Sequence, residues 1–181
     1  MDHRTLLVIA VITLIVLGGI AIAFWDRERK RKHLRSRFGP EYQRTVLQMK
    51  DRRRAEAELE KREQRVRKLD IRPLSSADQQ QFSSAWKQIQ ARFVDDPGDA
   101  VLRAEQLLRQ LLIARGYPDT TFEQMADNVS VYHPHLVQDY RNAHQAAQRH
   151  QESRADTEEL RRALVHYRAL FEDLLSIRKV A

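Results

Sequence analysis

The sequence predicts an all-α protein: an N-terminal transmembrane helix, a charged helical stalk and a small C-terminal helical bundle. Three observations carry this expectation. Thr5 to Trp25 runs 21 residues without a formal charge, and seven of the twelve residues after Asp26 are Lys or Arg. Residues 41–69 then contain no Gly or Pro and are rich in strong helix formers. From Pro73 onward, caps and apolar stripes recur at helical spacing, and no segment alternates with a period of two.

The first element is the uncharged run, assigned with the leading residues to an anchor over 1–25. As a helix it reaches about 32 Å, which matches a hydrocarbon core of about 30 Å. Trp25 closes it where an amphipathic ring favours the lipid–water boundary. Residues 26–40 form a polybasic juxtamembrane collar. Its Arg27, Arg29, Lys30, Arg31, Lys32, Arg35 and Arg37 are expected to face lipid headgroups, each contributing about 1 kcal/mol near an anionic surface. Cations in this position resist translocation, so the amino end is expected outside and the bulk in the cytoplasm. The alternative is an exported helical protein released after a cleaved signal peptide, because Ala21-Ile22-Ala23 reads as A-x-A. Against it, the run exceeds the usual apolar region of about 7–15 residues, and the leading MDHR is weakly cationic. Gly19 and Ala23 form a small-xxx-small pair through which two such helices can associate, so homo-oligomers through this helix or the stalk are an open expectation.

Residues 41–72 read as the stalk. Gly39-Pro40 breaks the preceding helix, and Pro40 suits a first helical position. The following 29 residues, Glu41 to Leu69, read as one helix, a solvated and ion-paired spacer with Glu58–Arg62 and Glu63–Arg67 at i,i+4. Ala55, Leu59, Val66 and Leu69 give only patches of a seam, with Arg62 in a seam position, too broken for a coiled coil. Between Asp26 and Arg72 there are 18 Lys/Arg against 9 Asp/Glu, a net of +9, while the remainder to Ala181 carries −2. Acidic residues interleave the basic ones and Tyr42 is the sole stalk aromatic, so nucleic acid is not an expected partner.

Residues 73–181 read as a five-helix bundle. Ser76 with Gln79 reads as a cap ahead of the stripe Phe82, Trp86, Ile89, Phe93. Asp96-Pro97 starts a second helix, whose stripe from Val101 to Leu112 is stopped by Gly116 and Pro118. Thr120 and Glu123 cap a third helix, Pro134 opens a fourth, and Asp156 with Glu159 caps the last. The aromatics Phe82, Trp86, Phe93, Tyr117, Tyr140 and Tyr167 are candidate partner contacts, since Trp and Tyr are favoured in binding hot spots; the same spacing also describes core residues.

No catalytic constellation is visible, so no enzyme activity, cofactor or metal is expected. The chain has no Cys, which excludes thiolate chemistry and disulfides. His133, His135, His144, His150 and His166 lack metal-ligand spacing, and a His-dependent enzyme using His133, His135 or His144 is the lesser alternative. Asp95, Asp96 and Asp99 lack EF-hand spacing and read as capping residues.

RSRFGPEY (35–42), ARFVDDP (91–97), ARGYP (114–118), SVYHP (130–134) and HYRALF (166–171) together resemble a family of bacterial single-pass membrane proteins of unassigned function. This chain carries Tyr132 where that family has an acidic residue. The resemblance implies a shared architecture and supplies no activity. The expectation is therefore a single-pass protein of the bacterial cytoplasmic (inner) membrane, in contact with the lipid bilayer and presenting a cytoplasmic helical module to a protein partner.

Overall fold

The computed structural model describes residues 3–176, with side chains from residue 12 onward except Thr13 and Ile15. The described residues are helical throughout, without strands: α1 (His3–Phe38), α2 (Pro40–Met49), α3 (Arg52–Arg67), α4 (Ser76–Arg92), α5 (Pro97–Ala114), α6 (Phe122–Tyr132), α7 (Val137–Gln151) and α8 (Thr157–Ser176). The all-α expectation holds.

Helices α4 to α8 make the bundle. Its starts follow local chemistry: Asp96 accepts from the Asp99 amide with Pro97 just inside α5, and Asp156 accepts from the Glu159 amide at 2.7 Å ahead of α8. Two caps sit one residue earlier or later than the sequence suggests, at Ser75 and Thr121. Either neighbouring hydroxyl satisfies the pattern, and geometry selects one. Leu107, Leu108, Leu111 and Leu112 of α5 face Tyr167, Leu170, Phe171 and Leu174 of α8 in the main core. Trp86 of α4 stacks on Phe171 with ring centroids 4.6 Å apart. Each such large side chain contributes roughly 1.5–3 kcal/mol by leaving water.

The stalk differs from its expectation. It is two helices rather than one, and it is packed rather than solvated. Lys50 turns left-handed (φ 54°) and Asp51 caps α3, accepting from the Arg53 and Arg54 amides. A left-handed non-glycine residue costs about 1–2 kcal/mol; what offsets it is a second core. Leu34 and Phe38 of α1, Tyr42 of α2, Leu59 and Val66 of α3 and Val131 of α6 are all buried together. Arg31 reaches Glu56, and His33 lies 3.1 Å from Glu63, so α3 runs alongside α1 in the same direction. The chain thus rises through α1, returns through α2 and rises again through α3.

Leu69 and Ile71 pack against both cores, so the linker after α3 is part of the fold. It is pinned where the Arg72 amide donates to the Arg115 carbonyl at 3.0 Å. Gly116 (φ 97°) makes that approach possible, because a Cβ there would lie 2.1 Å from the Asp70 carbonyl oxygen.

The expected span Thr5–Trp25 falls partly outside the described side chains, namely Thr5 to Val11, Thr13 and Ile15. Among the described residues no helix is long and apolar enough to cross a membrane. What is described of the run, from Ile12 to Trp25, stands clear of the rest: Leu14 is 72% exposed, Phe24 67% and Trp25 59%.

Gly116→Ala meets both a positive φ and a backbone clash. It should lower unfolding free energy in urea by about 2 kcal/mol or more. An unchanged midpoint would mean the linker does not lie against Arg115–Gly116.

Candidate functional site

The polar centre of the molecule lies where α2, α3, α6 and α7 meet. Gly39 and Pro40 start α2 so that Glu41 falls in its first turn, with the side chain almost wholly buried. Arg141 of α7 grips that carboxylate with both arms, Nη1 to Oε2 at 2.8 Å and Nη2 to Oε1 at 3.0 Å. Arg62 of α3 donates to Oε1 at 3.0 Å and Arg44 at 3.2 Å. Asp127 of α6 completes the cluster, 3.0 Å from Arg62 and 3.3 Å from Arg141. Three guanidinium groups thus converge on two carboxylates, and bidentate pairing of this kind is the strong form of the ion pair.

The two acids are tuned in opposite directions. Burial pushes Glu41 up, but Arg141, Arg44 and Arg62 together outweigh it and hold the carboxyl below its ordinary 4.5. For Asp127 burial prevails over Arg62 and Arg141, and its pKa is raised. Glu41 is thus the carboxylate whose charge the arginines favour, while burial works against the charge on Asp127.

Beside the cluster opens a cleft of about 290 Å³, lined by Arg44, Arg62 and Arg141 with Phe122, Glu123 and His144. The His144 ring stacks on Phe122, centroids 3.6 Å apart, and its Nδ1 meets the Glu105 carboxylate. His133, buried at the end of α6, places Nδ1 2.5 Å from Asp173 on α8. Burial lowers its pKa despite Asp173, so near neutrality the ring is uncharged and donates to that carboxylate. His166 lies 3.4 Å from Asp139, and His135 is exposed against Gly39. The histidines are not brought together; those with acidic neighbours each have a different one. Among the described residues no three potential metal ligands converge.

The expected contact aromatics are placed differently from a binding surface. Trp86, Tyr117, Tyr140 and Tyr167 are buried in the core, and Phe82 and Phe93 are half-buried against it. Trp86, Tyr117, Tyr140 and Tyr167 therefore cannot meet a partner without unfolding, while Phe82 and Phe93 keep part of their surface exposed. The collar divides. Arg27, Arg29, Lys32 and Arg35 are exposed, with Arg29 over the Trp25 ring at 3.8 Å and Arg35 over Tyr42 at 5.4 Å. Lys30 lies 3.7 Å from Glu60, and Arg31 pairs with Glu28 at 3.1 Å and Glu56 at 3.4 Å. Arg37 sits over Tyr132 at 4.8 Å, so the ring face holds a cation that an acid at 132 would hold as an ion pair. Part of the collar therefore secures α3 and α6 instead of facing outward.

Asp127 and Arg141 carry no signal of their own in the sequence, and Glu41 shows only as part of the RSRFGPEY segment. Arg62 shows as a charge in a seam position. Buried Arg115, which donates to the Leu174 carbonyl at 3.2 Å, sits in the ARGYP segment. No family model, curated protein or solved structure matches the chain.

Arg141→Ala leaves Glu41 buried with its bidentate partner gone, and should destabilise the fold by about 3–5 kcal/mol in chemical denaturation. The Glu41 contribution is complete above pH 4.5 and is lost as the pH falls through its depressed folded value. Glu41→Gln should therefore flatten the decline in stability below pH 4.5; an unaltered acid limb would contradict the role assigned to this carboxylate.

Proposed function

We propose that the chain is a single-pass membrane-anchored protein that presents a helical protein-interaction module at the cytoplasmic face of the bacterial inner membrane. The observation that supports this best is the contrast within α1. From Ile12 to Trp25 its described side chains are apolar and exposed, whereas Leu34 and Phe38, on the same helix beyond the collar, are fully buried. Exposing such a run to water is unfavourable by about 25 cal/mol per Å², and a bilayer removes that cost. The cationic flank sets the orientation, and the resemblance to single-pass proteins points the same way.

With Trp86, Tyr117, Tyr140 and Tyr167 buried in the core, the docking face we propose is the groove between α4 and α5. It is about 420 Å³, with Ala85, Ile89 and Leu107 along its floor and Gln88, Gln106 and Gln110 among its rim residues. An apolar floor with a polar rim that also includes Arg92 and Arg103 suits an amphipathic helix from a partner protein. The exported alternative requires the chain to be cut after Ala23.

The chain has no Cys, so single cysteines report topology without background. A thiol introduced at Ser84 should react with a membrane-impermeant maleimide only after the inner membrane is opened, on a chain that resists alkaline extraction. Labelling in intact spheroplasts, or a mature chain beginning at Phe24, would overturn the proposal.

A further inference from the structure

The turn between α2 and α3 is brought back to the level at which the apolar run of α1 ends. A crevice of about 610 Å³ separates α1 from the start of α3, and Phe24, Arg27 and Arg31 line one side of it while Arg52 and Arg53 line the other. Its acids are Glu28, Glu56 and Glu60; Arg31 meets the first two and Lys30 the third. Among the described residues Arg27, Arg52 and Arg53 make no ion pair, so the crevice carries surplus positive charge. Asp51 caps α3 and lies 3.6 Å from Arg54, and among the described residues it leaves Arg52 and Arg53 as unpaired cations at the start of the helix. Independently, Leu47 is 75% exposed and Met49 40% exposed at the end of α2 next to this turn. The described fold leaves most of Leu47 and part of Met49 uncovered. Leu47 and Met49 followed by Lys50, Asp51, Arg52, Arg53 and Arg54, four cations to one acid, have the composition of a segment that sits in the headgroup layer.

We propose that the α2–α3 turn is a second membrane contact: the crevice takes the phosphate headgroup of an anionic phospholipid while Leu47 and Met49 enter the interface beside it. This rests on the anchoring of α1 proposed above, because the anchor puts Phe24 and Trp25 at the boundary and so sets the height of the turn. Charge complementarity selects an anionic over a neutral surface, and the adjoining apolar side chains select a lipid over a dissolved anion. The bundle is then held at two points and cannot swivel freely about α1.

The test uses the full chain in nanodiscs of phosphatidylcholine with or without phosphatidylglycerol, labelled with an environment-sensitive dye through Met49→Cys. A second sample labelled through Ile20→Cys reports insertion of α1. The expected result is shielding at position 49 from an aqueous quencher in anionic discs only, weakening with salt. Arg52→Gln/Arg53→Gln, at exposed positions and checked by circular dichroism for intact helix content, should lower the docked-to-undocked ratio about 30-fold, near 1 kcal/mol per basic residue lost. Exposure at position 20 would refute the anchor itself. Shielding at 20 with equal exposure at 49 in both disc types would overturn the second contact alone. Shielding at 49 produced in neutral discs by inorganic phosphate would also overturn it, in favour of a site for a dissolved anion.

Discussion

Burying Glu41 imposes the condition that organises this molecule. A carboxylate taken out of water is tolerated only where cations and hydrogen-bond donors meet it. Here those donors come from three directions: Arg44 on its own helix, Arg62 on α3 and Arg141 on α7, a hundred residues away in sequence. Satisfying one acid thus fixes α2 against α3 and both against the bundle. Asp127 on α6 shares two of the same arginines, which ties in the remaining helix of the junction. The apolar cluster around Phe38 and Leu59 supplies the burial, and the ion cluster selects which packing of the helices is acceptable.

The consequence for function is rigidity. A charged stalk read as a solvated spacer would let a bundle sample a wide volume. The structure instead doubles that segment back as α2 and α3, packs it on α1 and joins it through Leu69, Ile71 and Gly116 to α5. Phe38 lies 13 residues beyond Trp25 along one continuous helix, about 20 Å. On the proposed anchoring, the module would therefore stand at a set height and orientation, which favours a partner that is itself held at the membrane.

Local chemistry was largely legible in the sequence. Asp96-Pro97, Gly116 and Asp156 mark helix ends because caps and breakers act over three or four residues. The break at Lys50-Asp51 was not legible, since neither Gly nor Pro marks it and Asp51 precedes charges instead of an apolar stripe. Arg62 was visible as a flaw in a seam; that it answers Glu41 depends on a tertiary contact that no periodicity encodes. The aromatics illustrate the same limit. Trp86, Tyr140 and Tyr167 at helical spacing give one signal whether they line a core or a surface, and only the neighbouring helices decide. Three of the segments singled out in the sequence fall at helix junctions, Phe38 to Tyr42, Arg115 to Tyr117 and Val131 to His133, where backbone, charge and shape are constrained at once.

The buried Glu41 cluster joins α2, α3 and the bundle into one cooperative unit. Native-state hydrogen exchange on the full chain tests it most directly. Amides within α2 and α3, including those of Thr45, Leu59 and Val66, should exchange as slowly as those in the middle of α7, by the same global opening. Fast exchange across α2 and α3 beside a protected α7 would show a loose stalk on an independent bundle, and would contradict it.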